Sequence, residues 1–220
     1  MPDPRILPVF PLSTVLVPGL VMPLHIFEQR YRDLVADLSD LPEDQREFVI
    51  IAIRDGQEVG TDGVRALFDV GTIATIREIS PHEDGRFDLV TVGTTRVRMG
   101  TLLDDRSYYQ AEVTELPEEA GDDAEILLPQ VASAFATYRS LLTSSVESTD
   151  DLPDDPGVLS YLIAAAVVLD LPDRQHLLEI PDDGERLRVE LRRLRYEINL
   201  MQVIPSLPAV EFPSALPSAN

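Results

Sequence analysis

The chain has 220 residues, of which 44% are hydrophobic, so it is long enough to bury a core without disulfides or metals. All 18 basic residues are Arg and 39 residues are acidic, and the resulting net charge of −21 argues against binding to nucleic acid or to anionic membrane surfaces. The sequence contains no Cys and no Lys, which excludes thiol nucleophiles, disulfides, Schiff-base lysines and Ser–Lys dyads.

The N-terminal half is predicted to begin with short strands and a tight turn. Residues 6–12 are apolar but contain two prolines, which places them at a sheet edge or in an irregular strand. The dipeptide Pro18-Gly19 is a strong turn signal between the strand-like residues 15–17 and 20–26. Apolar residues spaced three and four apart then predict a helix over residues 28–38.

Further strands complete this half of the chain. The β-branched run at residues 48–53 predicts a buried strand. Later strands are predicted over residues 71–79, 86–92, 95–103 and 108–116. Gly93 is expected to break the chain of strand residues between 86–92 and 95–103. About eight short strands in roughly 115 residues are typical of a barrel or a sandwich.

Helices are predicted after an acidic linker at residues 117–123. They cover residues 124–144, an almost entirely apolar segment that starts at Asp155-Pro156, a short segment from Pro172 to about Glu179, and residues 184–203. Asp155 is the expected N-cap, with Pro at the first helical position, and its helix is expected to be the buried centre of a bundle. Residues 204–220 hold four prolines and are predicted to be extended or disordered. The predicted units are therefore residues 1–117, 118–203 and 204–220.

Several motifs resemble those of the Lon protease N-terminal domain family. The similarity starts at Leu7-Pro8-Val9-Phe10-Pro11-Leu12 and continues over residues 15–31, which contain Pro18-Gly19. Further matching motifs occur in order at Gly71-Thr72-Ile73-Ala74, Gly93-Thr94-Thr95-Arg96-Val97 and Gln175-His176-Leu177-Leu178-Glu179. The resemblance covers about residues 6–203 and is greatest to short, stand-alone bacterial members of the family.

This resemblance implies an α+β fold, in which an N-terminal PUA-like mixed β pseudo-barrel with one short helix is followed by a C-terminal helical bundle. It also implies a module that recognises polypeptide substrates for an ATPase and a protease. The sequence has no G-x4-G-K-[ST] motif and no Lys for the family's Ser–Lys dyad. We therefore expect a non-catalytic, stand-alone protein without the ATPase and protease domains and without a cofactor.

Four apolar residues around the first turn are predicted to bind polypeptide: Leu16, Pro18, Leu20 and Met22. Unfolded proteins expose apolar segments, and adaptable surfaces containing Met accommodate varied sequences. The alternative is that these four residues fill the core of the barrel.

The charged clusters are predicted to have structural roles. Arginines 186, 188, 192, 193 and 195 are expected to form a solvated helix face with Arg186–Glu190 and Arg193–Glu197 pairs, and a phosphate or acidic-partner site is the alternative. Paired carboxylates beside Pro and Gly are expected to be caps and turns, with weak Ca²⁺ binding left open.

No catalytic, cofactor or metal residue is predicted. The three histidines, His25, His82 and His176, are too far apart in sequence for a short metal-ligand pair. His25 lies in an apolar strand and is expected to be packed in the core.

The predicted function is a non-catalytic, proteolysis-associated polypeptide-binding module that captures exposed apolar or extended segments. It would deliver them to a separate protease or chaperone. One alternative is a scaffold or regulatory protein with a single dedicated partner, and another is a small-ligand or RNA binder that uses the barrel. Without a recognisable signal peptide or membrane-length apolar run, a cytoplasmic location is expected, and a weak homo-oligomer is left open.

Overall fold

The computed structural model describes residues 5–56, 64–143, 148–149 and 151–203. The strand-rich part contains β1 (Arg5–Leu12), β2 (Val21–Ile26), α1 (Gln29–Ser39), a 3₁₀ turn (Glu43–Gln45), β3 (Glu47–Gly56), β4 (Val64–Leu67), β5 (Val70–Pro81), β6 (Phe87–Leu103) and β7 (Gln110–Glu115). The helical part contains α2 (Ala124–Thr143), α3 (Pro156–Ala166), α4 (Leu171–Glu179) and α5 (Asp183–Val203). The predicted α+β class, with strands followed by helices, is confirmed. The Pro-rich segment at 204–220 lies outside the described residues.

The strands close into a barrel because β1 has a partner on each side. It pairs antiparallel with β7 and parallel with β3, which completes the circuit β1-β7-β6-β5-β3. The long strand β6 pairs with β2 along its first half and with β7 along its second half. Helix α1 packs Tyr31 and Leu34 against Phe10 and Phe48 of the barrel core. The rings of Phe10 and Tyr31 stack with centroids 4.0 Å apart.

Strand β6 runs continuously through Gly93, so the predicted strand break at this position is wrong. The Gly93 amide donates to the carbonyl of Leu20 at 3.0 Å, and its carbonyl accepts from the Gly19 amide at 2.8 Å. A Cβ placed on Gly93 would lie 2.5 Å from the carbonyl oxygen of Val17. The glycine is required because the first turn packs directly on the strand at this point.

The helix signals read from the sequence are confirmed for α3 and α5. Asp155 caps α3 by accepting a hydrogen bond from the Val158 amide at 2.8 Å, and proline occupies the first turn. In α5, Leu187, Leu191 and Leu194 are buried at the predicted spacing. These local patterns determine where the helices begin and which side of α5 faces the core.

The expectation that α3 is the buried centre of a bundle is wrong. Its apolar side chains lie on all sides, but Val158 and Leu162 are 55% and 40% exposed. One side of α3 packs on α2 and α5, and another packs on the barrel. The remaining side is left as an apolar surface.

One hydrophobic cluster is shared by the barrel and the helices. Val17 and Val70 of the strand-rich part pack in the same cluster as Tyr161, Leu177 and Leu178 of the helical part. The side-chain amide of Gln175 in α4 donates to the Val70 carbonyl at 3.0 Å. The chain passes from strands to helices between β7 and α2, but this shared cluster holds the two parts together.

Candidate functional site: the cleft between the first turn and helix α3

A cleft of about 490 Å³ separates the first turn of the barrel from α3. The turn contributes Pro18, Gly19 and Leu20, and Gly19 has the positive φ of +80° that the turn requires. The opposite wall is formed by Pro153, Asp155, Gly157, Val158, Tyr161, Leu162 and Ala165, and Glu118 and Asp183 complete the lining. The cleft therefore combines elements that are more than 100 residues apart in sequence.

The wall formed by α3 is mainly apolar. Val158 and Leu162 are four residues apart and therefore lie on one face of the helix, where Leu20 stands opposite them across the cleft. Apolar side chains exposed together beside a concave surface are typical of an interaction site.

Three carboxyl groups, Glu118, Asp155 and Asp183, border this apolar wall. Burial raises the pKa of the Asp183 carboxyl, and the nearby Arg186 guanidinium acts in the opposite direction. The Asp155 carboxylate caps α3 by accepting the hydrogen bond from the Val158 amide. The cleft thus offers mainly apolar contacts, because each of the three carboxyl groups at its border already has a partner within the protein.

Beneath the cleft lies a chain of polar side chains that we call the seam network: Arg96, Glu118, Ser160, Tyr161, Arg186 and Glu190. Arg96 is fully buried and donates to Glu118 at 2.6 Å, to the Pro117 carbonyl at 2.7 Å and to the Leu178 carbonyl at 3.1 Å. Since β6 carries Arg96, these bonds tie the barrel to both the linker and α4.

Arg186 is the second buried guanidinium of the seam network. It lies 4.0 Å above the Tyr161 ring, donates to Ser160 at 2.5 Å and to the Ile180 carbonyl at 2.8 Å, and pairs with Asp183. The Tyr161 hydroxyl donates to the Glu118 carboxylate at about 2.9 Å. Burial raises the pKa of Tyr161, against the opposing effect of Arg186 and Arg96. Tyr161 therefore remains a neutral hydrogen-bond donor at the floor of the cleft.

Glu190 is the buried carboxyl of the seam network. The Ser160 hydroxyl donates to its Oε1 at 3.2 Å, whereas Oε2 has no hydrogen-bond partner among the described residues. Burial raises the pKa of this carboxyl well above its ordinary value, although Arg186 and the Ser160 hydrogen bond act in the opposite direction. Glu190 also lines a second cavity of about 310 Å³ between α3, α4 and α5.

The sequence matches a known family over most of its length. Residues 6–195 correspond to the ATP-dependent protease La (LON) substrate-binding domain. The chain belongs to this family. Substrate binding is thus the general role of the LON domain to which these residues correspond.

Two curated relatives illustrate how much of a longer protein this LON domain represents. Lon protease of Escherichia coli (strain K12) is 31% identical over 205 residues, which is 90% of this chain and 25% of that protein. Lon protease of Azorhizobium caulinodans is 27% identical over 204 residues, which is 89% of this chain and 23% of that protein. The chain spans about a quarter of the length of these relatives.

Two solved structures share the fold. The N terminal domain of Mycobacterium avium complex Lon protease has a TM-score of 0.67 at 22% identity, covering 87% of this chain and 98% of that one. The Lon N-terminal domain protein from Xanthomonas campestris has a TM-score of 0.62 at 26% identity, covering 86% and 98%. The barrel followed by helices is therefore the LON N-terminal fold.

The four residues predicted to bind polypeptide are placed differently in this LON domain. Pro18 and Leu20 line the cleft. Leu16 is 1% exposed and fills the barrel core, which is the alternative role considered for it, and Met22 is half-buried against the same core. Leu20 also packs partly buried against the barrel core, so it combines both roles considered for it. The binding role of these residues stays a prediction.

The arginine-rich helix is only partly the solvated face that the sequence predicted. The Arg193–Glu197 pair is present at 3.0 Å, and Arg188 pairs with Asp123. Arg186 and Glu190 are instead buried, so the predicted surface pair is wrong for both. An exposed i,i+4 pair and a buried one have the same sequence spacing, and only the packing of α5 against α3 distinguishes them.

Of the three histidines, the structure places His25 differently from the sequence prediction. His25 is on the exposed side of β2, with 46% of its side chain accessible, so the expectation of a packed histidine is wrong. His82 lies at the start of the turn between β5 and β6 and is brought next to His25, whereas His176 is exposed on α4. Within the part of the chain that the structure describes, no helix has the length and apolar character needed to cross a membrane.

Proposed function

We propose that this LON domain is a non-catalytic polypeptide receptor that holds extended, apolar segments in the cleft between the first turn and α3. The observation that carries the proposal is the apolar face of α3, where Val158 and Leu162 are exposed opposite Leu20. Burying such side chains against a ligand removes apolar surface from water, which stabilises the complex in proportion to the area.

The overall charge of the protein indicates which segments bind best. Glu118 and Asp183 are already paired with the buried Arg96 and Arg186, but the whole chain carries a net charge of −21. Basic residues that flank an apolar segment would be attracted by this overall field, which would speed their encounter. Segments rich in Asp or Glu would be repelled.

Strand β2 supports binding of the segment in an extended conformation. It begins directly after Leu20, and within the described parts of the chain it pairs with β6 alone. Its other edge can therefore offer backbone hydrogen bonds to a segment that leaves the cleft along the sheet. Side chains bound in the cleft and backbone bound at this edge together account for recognition of varied sequences.

The test is a titration of a labelled, permanently unfolded polypeptide with the purified protein, followed by fluorescence anisotropy. We expect saturable binding of the unfolded form and none of a folded version of the same polypeptide. Val158→Asp should weaken binding by about tenfold, because it places a charge where an apolar side chain would be buried. An Asp near the N-terminus of α3 is compatible with the helix dipole, so folding is preserved.

The matched control is Val168→Asp, which adds the same charge at an apolar position that is 76% exposed and outside the cleft. Equal losses in the two variants would show that charge alone is responsible. Absence of binding at high micromolar protein would contradict the receptor proposal and favour a single dedicated partner.

A further inference from the structure

A cluster of two histidines and one aspartate lies on the outer surface of the barrel, and we call it the His–Asp cluster: His25, His82 and Asp88. His25 Nδ1 is 2.6 Å from Asp88 Oδ1, and His82 Nε2 is 2.7 Å from Asp88 Oδ2. The three potential ligand atoms lie within 4.8 Å of one another. None of the roles proposed for the cleft uses these side chains.

We propose that the His–Asp cluster is a binding site for a first-row transition-metal dication such as Zn²⁺. Two imidazole nitrogens and one carboxylate oxygen form a ligand set that suits Zn²⁺ and related ions, whereas Ca²⁺ and Mg²⁺ prefer oxygen ligands. Three protein ligands leave a further coordination position for water or for another ligand.

The backbone holds the three residues in place. His25 and Asp88 are directly opposite each other across the β2–β6 ladder, and Asp88 is also opposite Ser80 across the β5–β6 ladder. His82 is fixed by its amide, which donates to the Arg86 carbonyl at 2.8 Å, and by its carbonyl, which accepts from the Gly85 amide at 3.0 Å. A site built on paired strands and a closed hairpin orders its ligands before the ion binds.

The side chains are free enough to close around an ion. Between 42% and 51% of each side chain is accessible. Ligand atoms bound to one tetrahedral Zn²⁺ at about 2.1 Å lie about 3.4 Å apart, so small rotations convert the present hydrogen bonds into metal bonds. The ion would replace the bonds to Asp88 and would cross-link β2 to the β5–β6 hairpin.

The surrounding charges have opposite effects on the site. The Arg86 guanidinium lies 3.4 Å from His25 Nε2 and opposes a cation, although Asp84 binds it at 2.7 Å and neutralises part of its effect. The net charge of −21 attracts cations to the surface in general. The experiment must therefore separate a specific site from diffuse attraction.

The test is isothermal titration of tag-free, chelator-treated protein with ZnCl₂, in parallel with His25→Ala, His82→Ala and the control His176→Ala. His176 is exposed on α4 and is not part of the cluster. We expect one Zn²⁺ per chain in the unmodified protein and in the control. Each cluster variant should lose at least about tenfold in affinity, because loss of a ligand costs no less than loss of an outer-shell contact.

The visible absorption spectrum of Co²⁺ bound to the protein provides a second measurement, which reports metal coordination directly. Co²⁺ at the site should give visible d–d bands that Zn²⁺ abolishes and that a large excess of Mg²⁺ does not. Equal Zn²⁺ affinity in all four proteins, or no competition by Zn²⁺ for Co²⁺, would overturn the proposal and leave only diffuse binding to the acidic surface. Circular dichroism of each variant confirms that its fold is retained.

Discussion

The seam network and the His–Asp cluster both pair carboxyl groups with basic side chains, but these basic side chains differ in burial. Arg96 and Arg186 have no accessible side-chain surface, whereas 46% of the His25 side chain and 42% of the His82 side chain are accessible. A buried charge cannot exchange its partners for water without a large desolvation cost, but an exposed one exchanges them readily. The comparison teaches that burial, more than residue type, decides whether a polar cluster holds the fold or remains available to a ligand.

The strongest test of this contrast is Arg96→Ala. The substitution removes the guanidinium that joins β6 to Glu118, Pro117 and Leu178. The Pro117 and Leu178 carbonyls lose this donor, whereas Glu118 keeps its hydrogen bond from the Tyr161 hydroxyl. We expect a loss of about 3 kcal/mol or more in the free energy of unfolding, because three hydrogen bonds from a buried charged group are lost together. Urea denaturation measures the loss, and Arg98→Ala, which changes an exposed arginine two residues along the same strand, is the control. A loss no larger than that of the control would mean that the seam network does not hold the two parts together.

For Glu190→Gln we expect an effect that is small near pH 5 and grows as the pH rises. Because its pKa is raised in the folded protein, the Glu190 carboxyl keeps its proton above the ordinary value of 4.5 at which the unfolded chain releases it. The folded state then binds more protons, so stability falls as pH rises from about that value. Gln resembles the protonated acid, so the stability of the variant relative to the unmodified protein should rise by up to about 1.4 kcal/mol per pH unit.

Urea denaturation between pH 5 and pH 8 measures this difference. The control is Glu185→Gln, which removes an exposed carboxyl from the same helix. Parallel stability curves for the unmodified protein and Glu190→Gln would show that this carboxyl ionises at the same pH in the folded and unfolded chain.

The smallest effect is expected for His82→Ala measured with a chelator present. The side chain is 42% accessible and its hydrogen bond to Asp88 competes with water, so the change in unfolding free energy should stay below about 0.5 kcal/mol. Thermal denaturation of the two proteins in the same buffer tests this. A loss comparable to that of Arg96→Ala would place the His–Asp cluster among the structural contacts and remove the contrast.

Much of the fold could be predicted because its signals are local. The spacing of Leu187, Leu191 and Leu194 specifies a buried helix face, and Asp155 with the following proline specifies a helix start. Pro18-Gly19 predicted a turn, and Gly19 has the positive φ that such a turn needs. In each case the residues that determine the local structure are close together in the chain, so the sequence pattern predicts that structure directly.

The candidate site was less predictable. The sequence points to Pro18 and Leu20 as candidates, but it predicts a buried centre for Val158 and Leu162, which form the opposite wall of the cleft. A helix that is apolar on all sides has no polar side, so its sequence does not show which residues face solvent. The sequence of α3 is apolar on all sides. This pattern is the same for a helix buried in the centre of a bundle and for a helix with an exposed apolar binding face.

By itself the sequence determined the α+β order, the Asp155 cap of α3, the apolar stripe of α5, the family motifs and the acidic charge, because these depend on composition or on residues within about one turn of each other. Only the tertiary structure decided that the first turn packs on Gly93, that Arg186 and Glu190 are buried, and that His25 lies beside His82 and Asp88. The physical reason is that these contacts depend on strand register and on packing between the barrel and the helices, which bring together residues far apart in the chain.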